Sequence, residues 1–233
     1  MSGPPRLRGP ARPPDRGKPE MLVVLLHGLG ADGNDLLGLA PHWAGRLPAA
    51  EFSSPHAPEP CDMAPFGRQW FSLQSRTPEA NLAGAERAAP ILDAFIDHEL
   101  ARLGLGDDRL ALVGFSQGTM MALHVGLRRT RAPAAIVGFS GSLVAPGRLA
   151  AELGARAPVL LVHGDADEIV PLAALHDAVA GLSAAGVGVI WHVCPGMGHQ
   201  IDATGLEMGG AFLAAQLVGP AYDIPSSAVA GAA

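Results

Sequence analysis

Short unbroken apolar runs alternate along this chain with longer stretches in which apolar residues recur at helical spacing. Strands buried on both faces read as the first kind and amphipathic covering helices as the second. The pattern therefore predicts an α/β domain with a mostly parallel central sheet and helices on both faces. The expected strands are Met21–Leu26, a short Glu51–Ser54, Asp108–Val113, Ala134–Phe139, Pro158–Val162 and Gly188–Val193. The expected helices are Asp35–Leu47, Asn81–Leu103, Gln117–Arg129, Pro171–Ala185 and Thr204–Leu217. Within the second of these, Leu82, Ala85, Ala89, Leu92, Phe95, Ile96 and Leu100 share a face, while Pro90 predicts a kink or break near Ala89. The main long loop runs from Pro55 to Thr77, and neither an internal repeat nor a second domain is visible.

The two ends of the chain break the pattern. Residues 1–20 are rich in Pro, Gly and Arg and lack the apolar stretch of a secretory signal. They read as a disordered lead-in, with docking of Arg6, Arg8, Arg12, Arg16 and Lys18 to anionic lipid as the weaker alternative. Residues 218–233 are small and aperiodic and read as a second tail, which leaves 21–217 as the folded domain.

A length of 233 residues suits one such domain. The net charge of −6, with no basic block beyond the first residues, argues against nucleic acid as a partner. Cys61 and Cys194 are too few for a disulfide framework and lack metal-ligand spacing, so they read as free thiols of a reducing, cytoplasmic compartment. No apolar run is long enough for stable insertion into a bilayer.

Candidate chemistry collects where strands end, which in open parallel sheets is where ligands bind. Gly114-Phe115-Ser116-Gln117-Gly118 sits between a strand and a helix and reads as a nucleophile elbow, with Ser116 on the sharp turn. A serine hydroxyl needs a base, and the base needs an acid to hold its tautomer. His199, in the Gly-containing loop after the last strand, is the best placed of nine histidines. His27 and His163 start their loops and read as braces for turns; His98, His124, His176, His192, His42 and His56 are placed in elements or far from strand ends. The acid is expected between serine and histidine in the chain, in Gly164-Asp165-Ala166-Asp167. Asp165 is expected to satisfy N–H groups of its own turn, so Asp167, further out, is favoured; its competing role is to cap the helix near Pro171. Two backbone N–H groups should face the developing oxyanion, those of Gln117 and of Leu29 in His27-Gly28-Leu29-Gly30.

These segments, with Gly67-Arg68-Gln69-Trp70-Phe71 and Gly198-His199, resemble the phospholipase/carboxylesterase family of small α/β-hydrolases, over roughly residues 21–217. The family includes acyl-protein thioesterases, and the pattern is closest to its bacterial carboxylesterases. The resemblance implies an α/β-hydrolase fold without a large cap domain. It also implies a serine hydrolase of carboxylic esters, with Asp167 as the triad acid and Trp70 beside the acyl site. Trp70 has an alternative role as an aromatic plug under its loop. Thioesterase and lysophospholipase activities share the same machinery. A non-catalytic scaffold is the rival of another class, as is a metal hydrolase built on His27, Asp32 and Asp35 or on His163, Asp165 and Asp167. Ester hydrolysis of this kind needs no metal or organic cofactor. The expected partner is a small or monoacyl ester, with homodimerisation left open.

Overall fold

The computed structural model describes residues 6–219. Its main sheet has seven strands: β1 (Ala11–Arg12), β2 (Met21–Leu26), β3 (Ala50–Ser53), β6 (Leu110–Phe115), β7 (Ala135–Phe139), β8 (Val159–Gly164) and β9 (Val189–Cys194). They lie in the order β1-β3-β2-β6-β7-β8-β9, all parallel except β1, which pairs antiparallel with β3. Two short strands, β4 (Glu59–Pro60) and β5 (Arg68–Gln69), form a separate hairpin inside the long loop. The helices are α1 (Gly33–Leu37), α2 (Ala40–Ala44), α3 (Pro78–Leu103), α4 (Gln117–Gly126), α5 (Leu149–Glu152), α6 (Ala173–Ala184) and α7 (Ala203–Leu217).

Alternation along the strands feeds two cores. Leu22, Val24, Leu26, Leu110, Leu112 and Ile136 face α3, α4 and α6. Met21, Val23, Leu25, Ala111, Val113 and Val137 face α1, α2 and α7. Because side chains alternate across a strand, both faces must be apolar, which is why these segments carry unbroken apolar runs. The chain moves from β2 outward to β3 and then returns to the other side of β2 as β6, so the order in which strands are added reverses between the parallel pair β2 and β6. The carboxyl ends of that pair, where Leu26 lies opposite Gly114, form the crevice at the switch point.

Three expectations change. Residues 6–20 are not a disordered lead-in. Ser54 N–H donates to Pro10 O at 3.0 Å and His56 N–H to Arg8 O at 2.8 Å, so the segment straps onto β3 as an extra edge strand, with Leu7 buried beneath it. Asp35–Leu47 is two short helices rather than one, and α3 passes through Pro90 without a break. The tail expected over 218–233 lies outside the described residues from position 220 onward.

Candidate active site

Ser116 joins β6 to α4 with φ 54° and ψ −116°, a conformation rarely tolerated by a residue bearing a Cβ. Strain of this kind costs about 1–3 kcal/mol and persists only when the surroundings fix it. Ser116 N–H donates to Phe139 O at 2.9 Å, and Thr119 Oγ1 lies 2.8 Å from Gly114 O and 2.9 Å from Phe139 O. A Cβ on Gly118 would overlap the Leu26 carbonyl, and one on Gly114 would overlap the Gly118 backbone. The two flanking glycines are thus required by the crossing of strand and helix. Ser140, at the end of β7, also has positive φ at 48°, a second strained serine that no sequence motif marks out.

The turn after β2 lies against this elbow: a Cβ on Gly28 would sit 3.4 Å from Ser116 Cβ. The N–H groups of Leu29 and Gln117 have no hydrogen-bond acceptor among the described residues. The side chain of Gln117 does the opposite, using both ends of its amide. Its Oε1 accepts from Trp70 N–H at 2.9 Å and its Nε2 donates to Phe71 O at 2.7 Å. Trp70 Nε1–H donates to His27 O at 3.0 Å, and His27 bridges Gly28 O and Ala57 N–H at 2.7 and 3.0 Å. Burial pushes the His27 pKa down, which suits a neutral ring that donates at Nδ1 and accepts at Nε2. His27 is therefore the turn brace expected of it. Trp70 is buried beside the site, as the alternative role of an aromatic plug requires. At 1% exposure it lines no open surface and instead props the Leu29 turn and the start of α4 from below.

The remaining groups come from the loops after β8 and β9, which are laced together. Ala166 N–H donates to Met197 O at 3.1 Å, and Asp165 accepts from Gly196 N–H at 2.6 Å. Asp165 thus serves the neighbouring loop rather than its own turn. Asp167, whose side chain is fully buried, divides its two oxygens. Oδ1 accepts from the N–H groups of Ile169 and Val170, each at 2.9 Å, while Oδ2 accepts from His199 Nδ1–H at 2.7 Å. The helix-capping role is not taken up: α6 has Leu172 at its N-cap and no side-chain cap, so Oδ1 ties down its own loop while Oδ2 holds the histidine. His163 braces this loop by donating from Nε2 to Val170 O at 2.7 Å.

Burial pushes the Asp167 carboxyl pKa up, but the hydrogen bonds from His199, Val170 and Ile169 outweigh it and hold the group below the ordinary 3.8. With Nδ1 committed to a carboxylate, the other His199 nitrogen keeps its lone pair as a proton acceptor. The ring of Phe115, next to Ser116, packs on that of His199 with centroids 4.9 Å apart. Ser116 and His199 share no hydrogen bond, a contact that in unliganded enzymes commonly tightens only with substrate. Cys194 is no rival nucleophile: burial and the neighbouring Asp202 carboxylate push its thiol up to about 12.

Residues 13–217 match the model of the phospholipase/carboxylesterase family of α/β-hydrolases. The chain belongs to this family. It is 45% identical to a solved structure of esterase PE8, which superposes with a TM-score of 0.87 over 91% of this chain and all of that one. It is 29% identical to the esterase YpfH of Escherichia coli K12 over 81% of this chain and 79% of that protein. Acyl-protein thioesterase 1 of Gibberella zeae is also 29% identical, over 84% of this chain and 90% of its own length. This α/β-hydrolase is accordingly a carboxylic ester hydrolase. No described helix is long and apolar enough to cross a membrane.

Proposed function

We propose that Ser116 is the nucleophile, His199 its general base and Asp167 the acid that orients His199, with Leu29 and Gln117 N–H groups as the oxyanion donors. The observation that carries this reading is the pair of unpartnered N–H groups flanking a strained serine, beside an Asp167–His199 pair that leaves one imidazole nitrogen basic. As Ser116 Oγ attacks the ester carbonyl, its proton passes to His199. The carbonyl oxygen becomes an oxyanion between the two N–H groups, where fixed donors stabilise it without reorganising. His199 then gives the proton to the leaving alkoxide, which departs as the alcohol. Water, deprotonated by the same imidazole, cleaves the acyl-serine and restores the enzyme.

Between β7 and β8 the chain forms only the short turn Pro146–Arg148 and α5, which supports an uncapped, open site for small or monoacyl esters. The relatedness to an acyl-protein thioesterase supports a second reading, in which the leaving group is a thiolate. The two buried, unpaired cysteines support a reducing, cytoplasmic setting. A fluorophosphonate probe is expected to add to Ser116, as read by peptide mass spectrometry. An intact Ser116 peptide after complete inactivation would overturn the assignment. Matched 4-nitrophenyl esters and thioesters of rising chain length then rank the substrate classes, with short chains expected to turn over fastest.

A further inference from the structure

A cavity of about 520 Å3 lies beside the turn that carries Leu29, and the reaction above makes no use of it. Its wall includes Asp32, His56, Gly67 and Arg68 together with Arg6 and Arg8 from the N-terminal strap. The strap exposes its two arginines on either side of a buried residue. Leu7 points into the core at 7% exposure, and its neighbours Arg6 and Arg8 stay on the outside. Arg8 is fixed at its backbone, where its carbonyl accepts from His56 N–H.

Arg68 is fixed at its head. Its Nε and one terminal nitrogen donate to Ala57 O and Pro58 O, each at 2.7 Å. These are neutral acceptors, so the guanidinium charge is not cancelled. Among the described residues neither Arg68 nor Arg8 is in an ion pair, and Arg6 meets only the His98 ring. Against these three cations stands one lining carboxylate, Asp32, whose Oδ1 is taken up by Asn34. In a chain of net charge −6 this is a local reversal of sign.

The cavity is also coupled to the turn after β2. Gly30 N–H donates to Arg68 O at 2.9 Å and Arg68 N–H to Ala31 O at 2.8 Å. Gly67, with φ +80°, lies so close to Gly30 that any side chain there would overlap its carbonyl. The Leu29–Gly30 peptide itself is thus hydrogen-bonded to the backbone of the arginine that lines the cavity.

We propose that this cavity is an anion subsite, through which the enzyme favours esters that carry a carboxylate or phosphate away from the scissile bond. The proposal rests on the reading of the Leu29 turn as part of the acyl site. Guanidinium groups suit both anions, because their N–H groups match paired oxygens.

The test compares 4-acetoxybenzoate, its neutral methyl ester and 4-acetoxyphenyl phosphate as substrates of the wild-type chain and of an R6Q/R8Q variant. For wild type, kcat/KM for at least one anion is expected to exceed that for the neutral ester, and the excess should shrink between about 0.05 and about 0.5 M NaCl. In the variant the anion-to-neutral ratio should fall about tenfold, and R8E should lower it further. The two arms show which anion fits better. A ratio that is the same in wild type and variants, with melting temperatures showing that they are folded, overturns the subsite. If the variants do not fold, a wild-type ratio near one at low salt overturns it. Absence of turnover on the neutral ester, by contrast, would count against the Ser116 reading itself.

Discussion

Strand β6 has a charged cluster at each end, and the two clusters are built on opposite plans. At its amino end, Arg129 is only 8% exposed in its side chain and is met by Asp93, by Asp97 at 2.7 Å and by Asp107 at 2.6 Å. Every one of its three guanidinium nitrogens has a carboxylate, and no strained backbone is needed to arrange them. At its carboxyl end, Ser116 is held at positive φ, two N–H groups are left without acceptors, and His199 has one nitrogen paired and one bare. Arginine in a satisfied cluster can only hold the structure together. Polar groups kept fixed but incompletely paired can still act on a molecule that arrives, which is the physical distinction between a structural and a reactive site.

That contrast can be broken by removing one group at a time. The largest effect is expected from Ser116→Ala, which should lower kcat by about 10⁶-fold with little change in melting temperature. Asp167→Asn keeps an Oδ1 acceptor for the Ile169 and Val170 N–H groups but weakens the hold on His199, and about 10⁴-fold in kcat should be lost. Arg129→Met at the other end should leave kcat within about twofold while stranding Asp107. A loss of about 3 kcal/mol, or roughly 10 °C in melting temperature, is expected by calorimetry. A variant that lost activity but not stability would erase the distinction between the two ends.

The smallest effect concerns His124 near the same amino end, where Nδ1 is buried without a partner. Burial, helped by the nearby Arg128, pushes its pKa down from 6.5 to about 4. In that interval the unfolded chain binds more protons than the folded one, so stability should fall as pH drops from 6.5 towards 4. His124→Leu should flatten that slope by about 2 kcal/mol in urea titrations at the two pH values. The carboxyl end has the other sign of group: Asp167, held below 3.8, contributes stability that is present above that pH and fades only below it.

The carboxyl end was far more legible in the sequence than the strap or the supporting network. Strands β2, β6 and β8 announce themselves through double-sided burial, and the loops that follow them carry Gly, Ser, His and Asp in an order that points to one chemistry. Asp167 and His199 do meet, as that order suggested. The strap was unreadable because nothing local dictates it. Pro, Gly and Arg resemble a tail, and the order comes from backbone hydrogen bonds to Ser54 and His56, distant in the chain. Asp165 was misplaced for a related reason: its partner, Gly196 N–H, belongs to another loop. Side-chain spacing forecasts which face a residue takes, not which neighbouring loop crosses it.

The strap also has a consequence for handling the protein. Without residues 8–12, β3 would become the outermost strand, with its N–H and C=O groups open on one side. Such a rim is a template on which a second chain can add its own strand. A shortened chain beginning at Pro13, tidy by composition, is therefore expected to clump more at high concentration than the full chain, as light scattering would show, and a fusion partner is better attached at the other end.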